Sequence, residues 1–248
     1  MKVTSALVVF TLSPEAEGRR KPLGLGRPER AAGVYAALLG HLEGVCSDLP
    51  GVDLLVSTPG KRAPFCLAAR HLPQRGTGFG DSLKLAVEDA FAVGYERIVV
   101  IGNDTPEIST DYLRAAFDQL ENRGPQMAVL GPARDGGYTL LGLNRPCPQA
   151  FETMPWGSPR VARWTEERLT GSGFHVLRLP ALDDIDNGRS LARFIARARR
   201  GDVAELSKTV SMLLSPIQAV TTSPITRIPE IHRAGWRALR APPECASY

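Results

Sequence analysis

The sequence predicts an α/β domain with a mostly parallel sheet and helices on both faces. Three observations carry that prediction. Short apolar runs such as SALVVF and RIVVIG suit strands buried on both sides. Between such runs lie amphipathic stretches of helical spacing, as in ERAAGVYAALLGHLEGVCSD. Strand and helix then alternate along most of the chain, the pattern of a parallel sheet with covering helices.

Taken in order, SALVVF is the first strand, followed by a polar loop from Thr11 to Arg27. The helix after it carries Val34, Leu38, Leu39 and Leu42 on one face, and VDLLVST is the second strand. DSLKLAVEDAFAVGY is a helix with Leu83, Val87, Ala90 and Phe91 at helical spacing. Asp81 or Gly80 is its expected N-cap and Gly94 its stop. RIVVIG is the central strand, and Ser109 or Thr110 caps the helix TDYLRAAFDQLENRG. The strands QMAVLGP and TLLGL, a helix in PRVARWTEERLTGSG, the strand FHVLRLP and the helix SLARFIARARR complete the unit. The expected division is a domain over residues 1–200 and an appendage over 201–248. The appendage would hold one more helix, VAELSKTVSMLL, and a Pro/Ser/Thr-rich tail that Ile231 and Trp236 could dock.

Composition excludes several classes. At 43% hydrophobic residues the chain can bury a substantial core, and no run approaches the ~18 apolar residues of a membrane helix. The apolar stretch Ala6 to Phe10 is too short for a signal peptide. Cys46, Cys66, Cys147 and Cys245 form no C-x-x-C pair, so reduced thiols in a cytoplasmic protein are expected. The net charge of +4 comes from arginines after Arg189, which reads as a solvated helix face and not a nucleic-acid surface. None of the four histidines stands in H-E-x-x-H spacing, and no G-x-S-x-G elbow occurs.

Five segments can carry chemistry. In RIVVIGNDTPEIS a buried strand ends on Asn103 and Asp104, where open α/β sheets bind ligands; the plainer alternative is an Asp that caps a turn before Pro106. In LGPARDGGYTLLGL, Asp135, Gly136 and Gly137 form a tight turn that permits close ligand approach, or an ordinary hairpin. In LDDIDN, alternation turns Asp184 and Asp186 the same way; with Asp104 they could hold Mg²⁺ or Mn²⁺, or else form a solvated cap for the helix at Ser190. Arg19, Arg20 and Lys21 follow the first strand and could neutralise a diphosphate, although the loop is no P-loop, and the plainer alternative is a surface loop. Gln74 and Arg75, with three glycines, precede a helix N-terminus, a favourable place for an anion.

The ordered set QRGTGFGDSL, VVIGNDTPEIS, LGPARDGGYTLLGL, Trp156-Gly157-Ser158 and DDIDN resembles a bacterial family of glycosyltransferase-like proteins. That family has the GT-A fold of nucleotide-diphospho-sugar transferases and is distantly similar to molybdenum-cofactor and phospholactate guanylyltransferases. Some members neighbour radical-SAM genes, and some are assigned to arsenosugar biosynthesis. The resemblance covers roughly residues 5 to 195. It implies a nucleotide-sugar or nucleoside triphosphate donor bound across the first half of the sheet. Asp104 matches the metal-binding acid of the G-x-D-x-P motif, and Asp184 and Asp186 match the D-I-D motif. Asp135, Gly136, Gly137 and Tyr138 match the D-G-G-Y segment on the acceptor side. The family's first loop reads close to F-A-K-x-P-x-x-G-x-x-K-T-R-L. Phe10, Pro14, Gly18 and Lys21 keep it here, while Leu12 replaces its first Lys and Pro22 follows Lys21. Asn103 precedes Asp104, and Asn187 stands where Thr is usual.

The function expected on these grounds is a metal-dependent glycosyltransferase with a nucleotide-diphospho-sugar donor. Asp135 would deprotonate the acceptor hydroxyl, and Arg19 and Lys21 would meet the phosphates. The alternatives are a nucleotidyltransferase that activates a phosphorylated small molecule, and a non-catalytic nucleotide-binding member. The expected partners are small molecules, with no nucleic acid or membrane and with a homodimer as the candidate oligomer.

Overall fold

A computed structural model describes residues 3–60, 64, 69–197 and 203–214. Cys66, Ile231, His232, Trp236, Cys245 and the expected tail lie outside these residues. The chain divides into units 1–213 and 214–248, and only Leu214 of the second is described.

Seven strands form one sheet: β1 Ser5–Phe10, β2 Asp53–Thr58, β3 Arg70–Pro73, β4 Arg97–Ile101, β5 Met127–Pro132, β6 Tyr138–Leu143 and β7 His175–Arg178. Their spatial order is β3-β2-β1-β4-β6-β5-β7. All neighbouring pairs are parallel except β6, which runs antiparallel to both β4 and β5. The sheet is thus mostly parallel, as the alternation predicts.

Period-two alternation sends each central strand into two cores. Ala6 and Val8 of β1 join Ile98 and Val100 of β4 on one face; Leu7 and Val9 join Val99 and Ile101 on the other. Leu83, Val87 and Ala90 of helix α3 (Phe79–Ala92) cover the first face, with Leu169 of α5 (Val161–Gly171). Leu113, Ala116, Phe117 and Leu120 of α4 (Thr110–Asn122) cover the second, with Leu42 of α2 (Pro28–Ser47). Two further helices follow, α6 Gly188–Arg197 and α7 Ala204–Leu214.

Three local expectations change. The loop expected from Thr11 to Arg27 contains helix α1, Pro14–Arg20. Ser13 caps it, its Oγ accepting from Ala16 N at 3.3 Å, and Pro14 fits the first turn because its missing N–H would be unpaired there. Helix α3 starts earlier than expected, with Gly78 at its N-cap and φ of +94°. Asp81 lies inside the first turn, where its Oδ2 accepts from Thr77 N at 2.9 Å. The edge strand β3 escapes periodicity because it has four residues, of which Leu72 alone is buried. Ser109 does cap α4, accepting from Tyr112 N at 3.2 Å.

Candidate active site

Sheet order creates the site. Strand β1 has β2 on one side and β4 on the other, so successive connections leave in opposite directions and open a crevice beyond the strand ends. A cavity of about 610 Å³ occupies it, lined by Phe10 and Thr11 after β1 and by Gly102, Asn103 and Asp104 after β4.

Two backbone links bring distant loops to its rim. Residues 133–137 turn β5 into β6: Ala133 N donates to Gly137 O at 2.9 Å, and Gly137 N donates to Asp135 Oδ1 at 2.8 Å. The 182–187 loop is stitched to that hairpin by Arg134 N, which donates to Leu182 O at 3.0 Å. It is stitched to the β4 loop by Ile185 N, which donates to Asp104 O at 2.8 Å. The fully buried Tyr35 of α2 donates its hydroxyl to Ile185 O at 3.3 Å, holding the loop from beneath.

These links converge the carboxylates. Oxygens of Asp135, Asp184 and Asp186 all lie within 4.8 Å of one another. Asp104 stands on the other side of Lys21, whose Nζ donates to Asp104 Oδ2 at 2.7 Å and to Asp186 Oδ1. Burial opposes the charged lysine, but the two carboxylates outweigh it and hold its pKa well above the ordinary value. Burial and the charges of Asp186, Asp135 and Asp104 push the Asp184 carboxyl up to about 7. Asp183 faces elsewhere and ion-pairs with Arg134, Arg193 and Arg197.

Among the residues expected at phosphates or donor, Lys21, Gln74, Asn103, Gly137 and Tyr138 line the cavity. Gln74 spends its amide N–H groups on the carbonyls of Ser57, at 2.8 Å, and Thr11, at 3.2 Å, so it ties β1 to β2. Asn103 is 5% exposed, and its Nδ2 has no partner among the described residues. Three of the expected residues are not on the lining. Arg19 is exposed, and its neighbour Arg20 lines the cavity instead, bonded to the buried Glu17 at 3.2 Å. Arg75 is exposed and engages Asp89 of α3. Gly136, with φ of +98°, packs its Cα against the Pro159 carbonyl, where any side chain would collide.

Sequence reasoning named Arg20 only together with Arg19 and Lys21, as positive charge for a diphosphate, and gave no role to Glu17, Tyr35, Phe10, Phe79 or Trp156. The signal for Glu17 was present: Ser13-Pro14 followed by Glu15 and Glu17 is a helix-start signature. A helix there places Glu17 and Arg20 one turn apart.

The residues fit a hard divalent cation, because three carboxylate-bearing side chains already converge and oxygen donors are what Mg²⁺ and Mn²⁺ take. The expected trio of Asp104, Asp184 and Asp186 is rearranged in one respect: Asp135 joins the last two, while Lys21 separates Asp104 from them.

Fold and crevice together define a mostly parallel α/β domain with a ligand-sized cavity at the switch point of its sheet. The chain is similar to the solved "putative nucleotide-diphospho-sugar transferase" of Desulfovibrio desulfuricans G20, with 25% identity and a TM-score of 0.72 over 86% of this chain and 97% of that one. Residues 53–158 match the family described as "Uncharacterized protein conserved in bacteria (DUF2064)". Both findings agree with the GT-A-like family that the motifs resemble. A cytidylyltransferase of Leptospira borgpetersenii shares the fold, at 12% identity and a TM-score of 0.51 over 85% of this chain and 95% of that one. No curated protein matches the sequence significantly. Among the described residues, no helix is long and apolar enough to cross a membrane.

Proposed function

We propose that this chain is a metal-assisted glycosyltransferase that takes a nucleotide-diphospho-sugar donor and passes the sugar to a hydroxyl-bearing acceptor. One observation carries the reading, the charge of the cavity. Among the described residues, Glu17, Asp104, Asp135, Asp184 and Asp186 face two cations, Arg20 and Lys21, a net of −3 when all are ionised. A diphosphate is repelled by such a site unless a divalent cation enters with it.

Asp184 and Asp186 would hold that cation, with Asp104 completing the oxygen set. When bound, Mg²⁺ or Mn²⁺ supplies charge stabilisation to the leaving nucleotide. The chain's own groups do the rest. Lys21 exchanges its carboxylate partners for a phosphate oxygen, and Arg20 adds a second cation beside it. Asp135, on the rigid hairpin, orients the acceptor hydroxyl and accepts its proton. Tyr35 keeps the 184–186 carboxylates in register.

The test is product analysis. Incubation with UDP-, GDP- and CDP-sugars, Mn²⁺ and a panel of alcohols should release free nucleoside diphosphate. The adjacent Arg20 and Lys21 also suit a triphosphate, which supports a second reading as a nucleotidyltransferase. Pyrophosphate release from GTP or CTP with a phosphorylated acceptor identifies that activity instead. Nucleotide binding without either product, unaffected by Asp104→Ala, identifies a non-catalytic binder.

A further inference from the structure

One wall of the cavity is not acidic. Phe10 at the end of β1, Phe79 at the start of α3, Trp156 and Tyr138 on β6 all line it. They form an unbroken chain of edge-to-face contacts. Ring centroids are 5.7 Å apart for Phe10 and Phe79, 5.0 Å for Phe79 and Trp156, and 6.3 Å for Trp156 and Tyr138. The chain is braced, because the Trp156 indole lies over Gly80, where even a Cβ would collide with it. Edge-to-face packing normally closes a core. Here Phe79 stays 45% exposed, and it lines the concave site. Leaving such a ring wet forfeits hydrophobic stabilisation that a flat apolar ligand recovers.

We propose that this wall is the acceptor subsite and that the acceptor is an alcohol carrying an aromatic ring. The inference rests on the transferase reading and names the substrate class of the same cavity. The wall ends at Tyr138, three residues from Asp135 on the same hairpin, so a ring packed along it brings its hydroxyl toward that carboxylate. Apart from Asp135, the acids and both cations of the lining sit on other segments, where the diphosphate belongs, and the four rings offer the phosphates no charged group.

The probe is 7-hydroxy-4-methylcoumarin, an aromatic alcohol, with methyl glucoside as the non-aromatic alcohol and UDP and GDP with Mn²⁺ as nucleotide ligands. Binding to the full chain is measured by calorimetry for wild type, Phe79→Ser and Trp156→Ala. Phe79 is half exposed, so its variant removes little from the core. The coumarin should bind wild type better than methyl glucoside does, and each variant should weaken it by about ten-fold or more. Nucleotide affinity should stay within about three-fold. No coumarin binding to wild type, or binding that survives both variants, overturns the proposal. Loss of nucleotide affinity in Phe79→Ser also overturns it, because the wall then seats the nucleobase. Coumarin binding with no nucleotide binding to wild type sinks the transferase reading instead and leaves the ring site standing.

Discussion

The ammonium of Lys21 lies 2.7 Å from the Asp104 carboxylate and bonds Asp186 as well, so one lysine bridges loops 83 and 165 residues away. It is an internal counter-cation in a site otherwise dominated by carboxylates. Removing it leaves two partly buried like charges facing each other. Lys21→Met should therefore destabilise the metal-free protein by about 1–3 kcal/mol, less than a fully buried pair because all three side chains are partly exposed. Mn²⁺ should raise the Tm of the variant more than that of wild type, since the ion replaces the missing charge. Equal Mn²⁺ shifts in melting experiments would show that lysine and ion do not share the site.

Asp184 makes stability depend on pH in an unusual direction. Its folded pKa of about 7 lies above the ordinary carboxylate value of 3.8, so the folded state holds the proton more tightly. Stability is then greatest when pH is below the unfolded pKa as far as this group is concerned, and falls as pH rises through about 7. Urea unfolding without divalent ions should show about 1–3 kcal/mol lost from this group between pH 5 and pH 8. Asp184→Asn should flatten that slope, and Mn²⁺ should restore stability at pH 8. A slope unchanged in Asp184→Asn would assign the effect to other groups.

Gly18 sets how closely α1 approaches α2. A Cβ there would meet Pro28 O at 2.5 Å and Ala32 N at 2.6 Å, both backbone atoms that cannot swing aside. Gly18→Ala should cost about 1–3 kcal/mol by overpacking. It should also shift the end of α1, which carries Arg20 and Lys21, and so weaken donor binding. Chemical denaturation and donor titration on the same variant check both effects; a stable variant with unchanged affinity would contradict the coupling.

Asp135 is the proposed acceptor for the hydroxyl proton. Asp135→Asn preserves its oxygen for Gly137 N, so the hairpin should remain intact. Transfer should fall by about 10²–10⁴-fold while donor affinity changes little. A variant that loses donor binding and keeps turnover at saturation would make Asp135 a binding group instead.

Much of the fold was legible because physical constraints write it locally. SALVVF and RIVVIG have apolar residues on both faces since β1 and β4 are covered on both sides. The strand end before Asn103 and Asp104 marked one wall of the crevice for the same reason. The pairing of Lys21 with Asp104 was not legible, because it depends on tertiary closure across the sheet. Telling Arg20 on the cavity from the exposed Arg19 required knowing that α1 is a helix, and a seven-residue segment with four charged residues gives no apolar stripe to reveal one. The aromatic wall draws its four rings from four separate segments, and no spacing in the chain relates them.

The central claim is that a nucleotide-diphospho-sugar and a divalent cation enter this crevice together. Calorimetric titration of wild type with UDP- and GDP-sugars, in Mn²⁺ and again in EDTA, tests it most directly. The account predicts saturable binding of at least one donor in Mn²⁺ and a loss of about ten-fold or more in EDTA. Absence of binding to every donor in Mn²⁺, or equal affinity in EDTA, would contradict it.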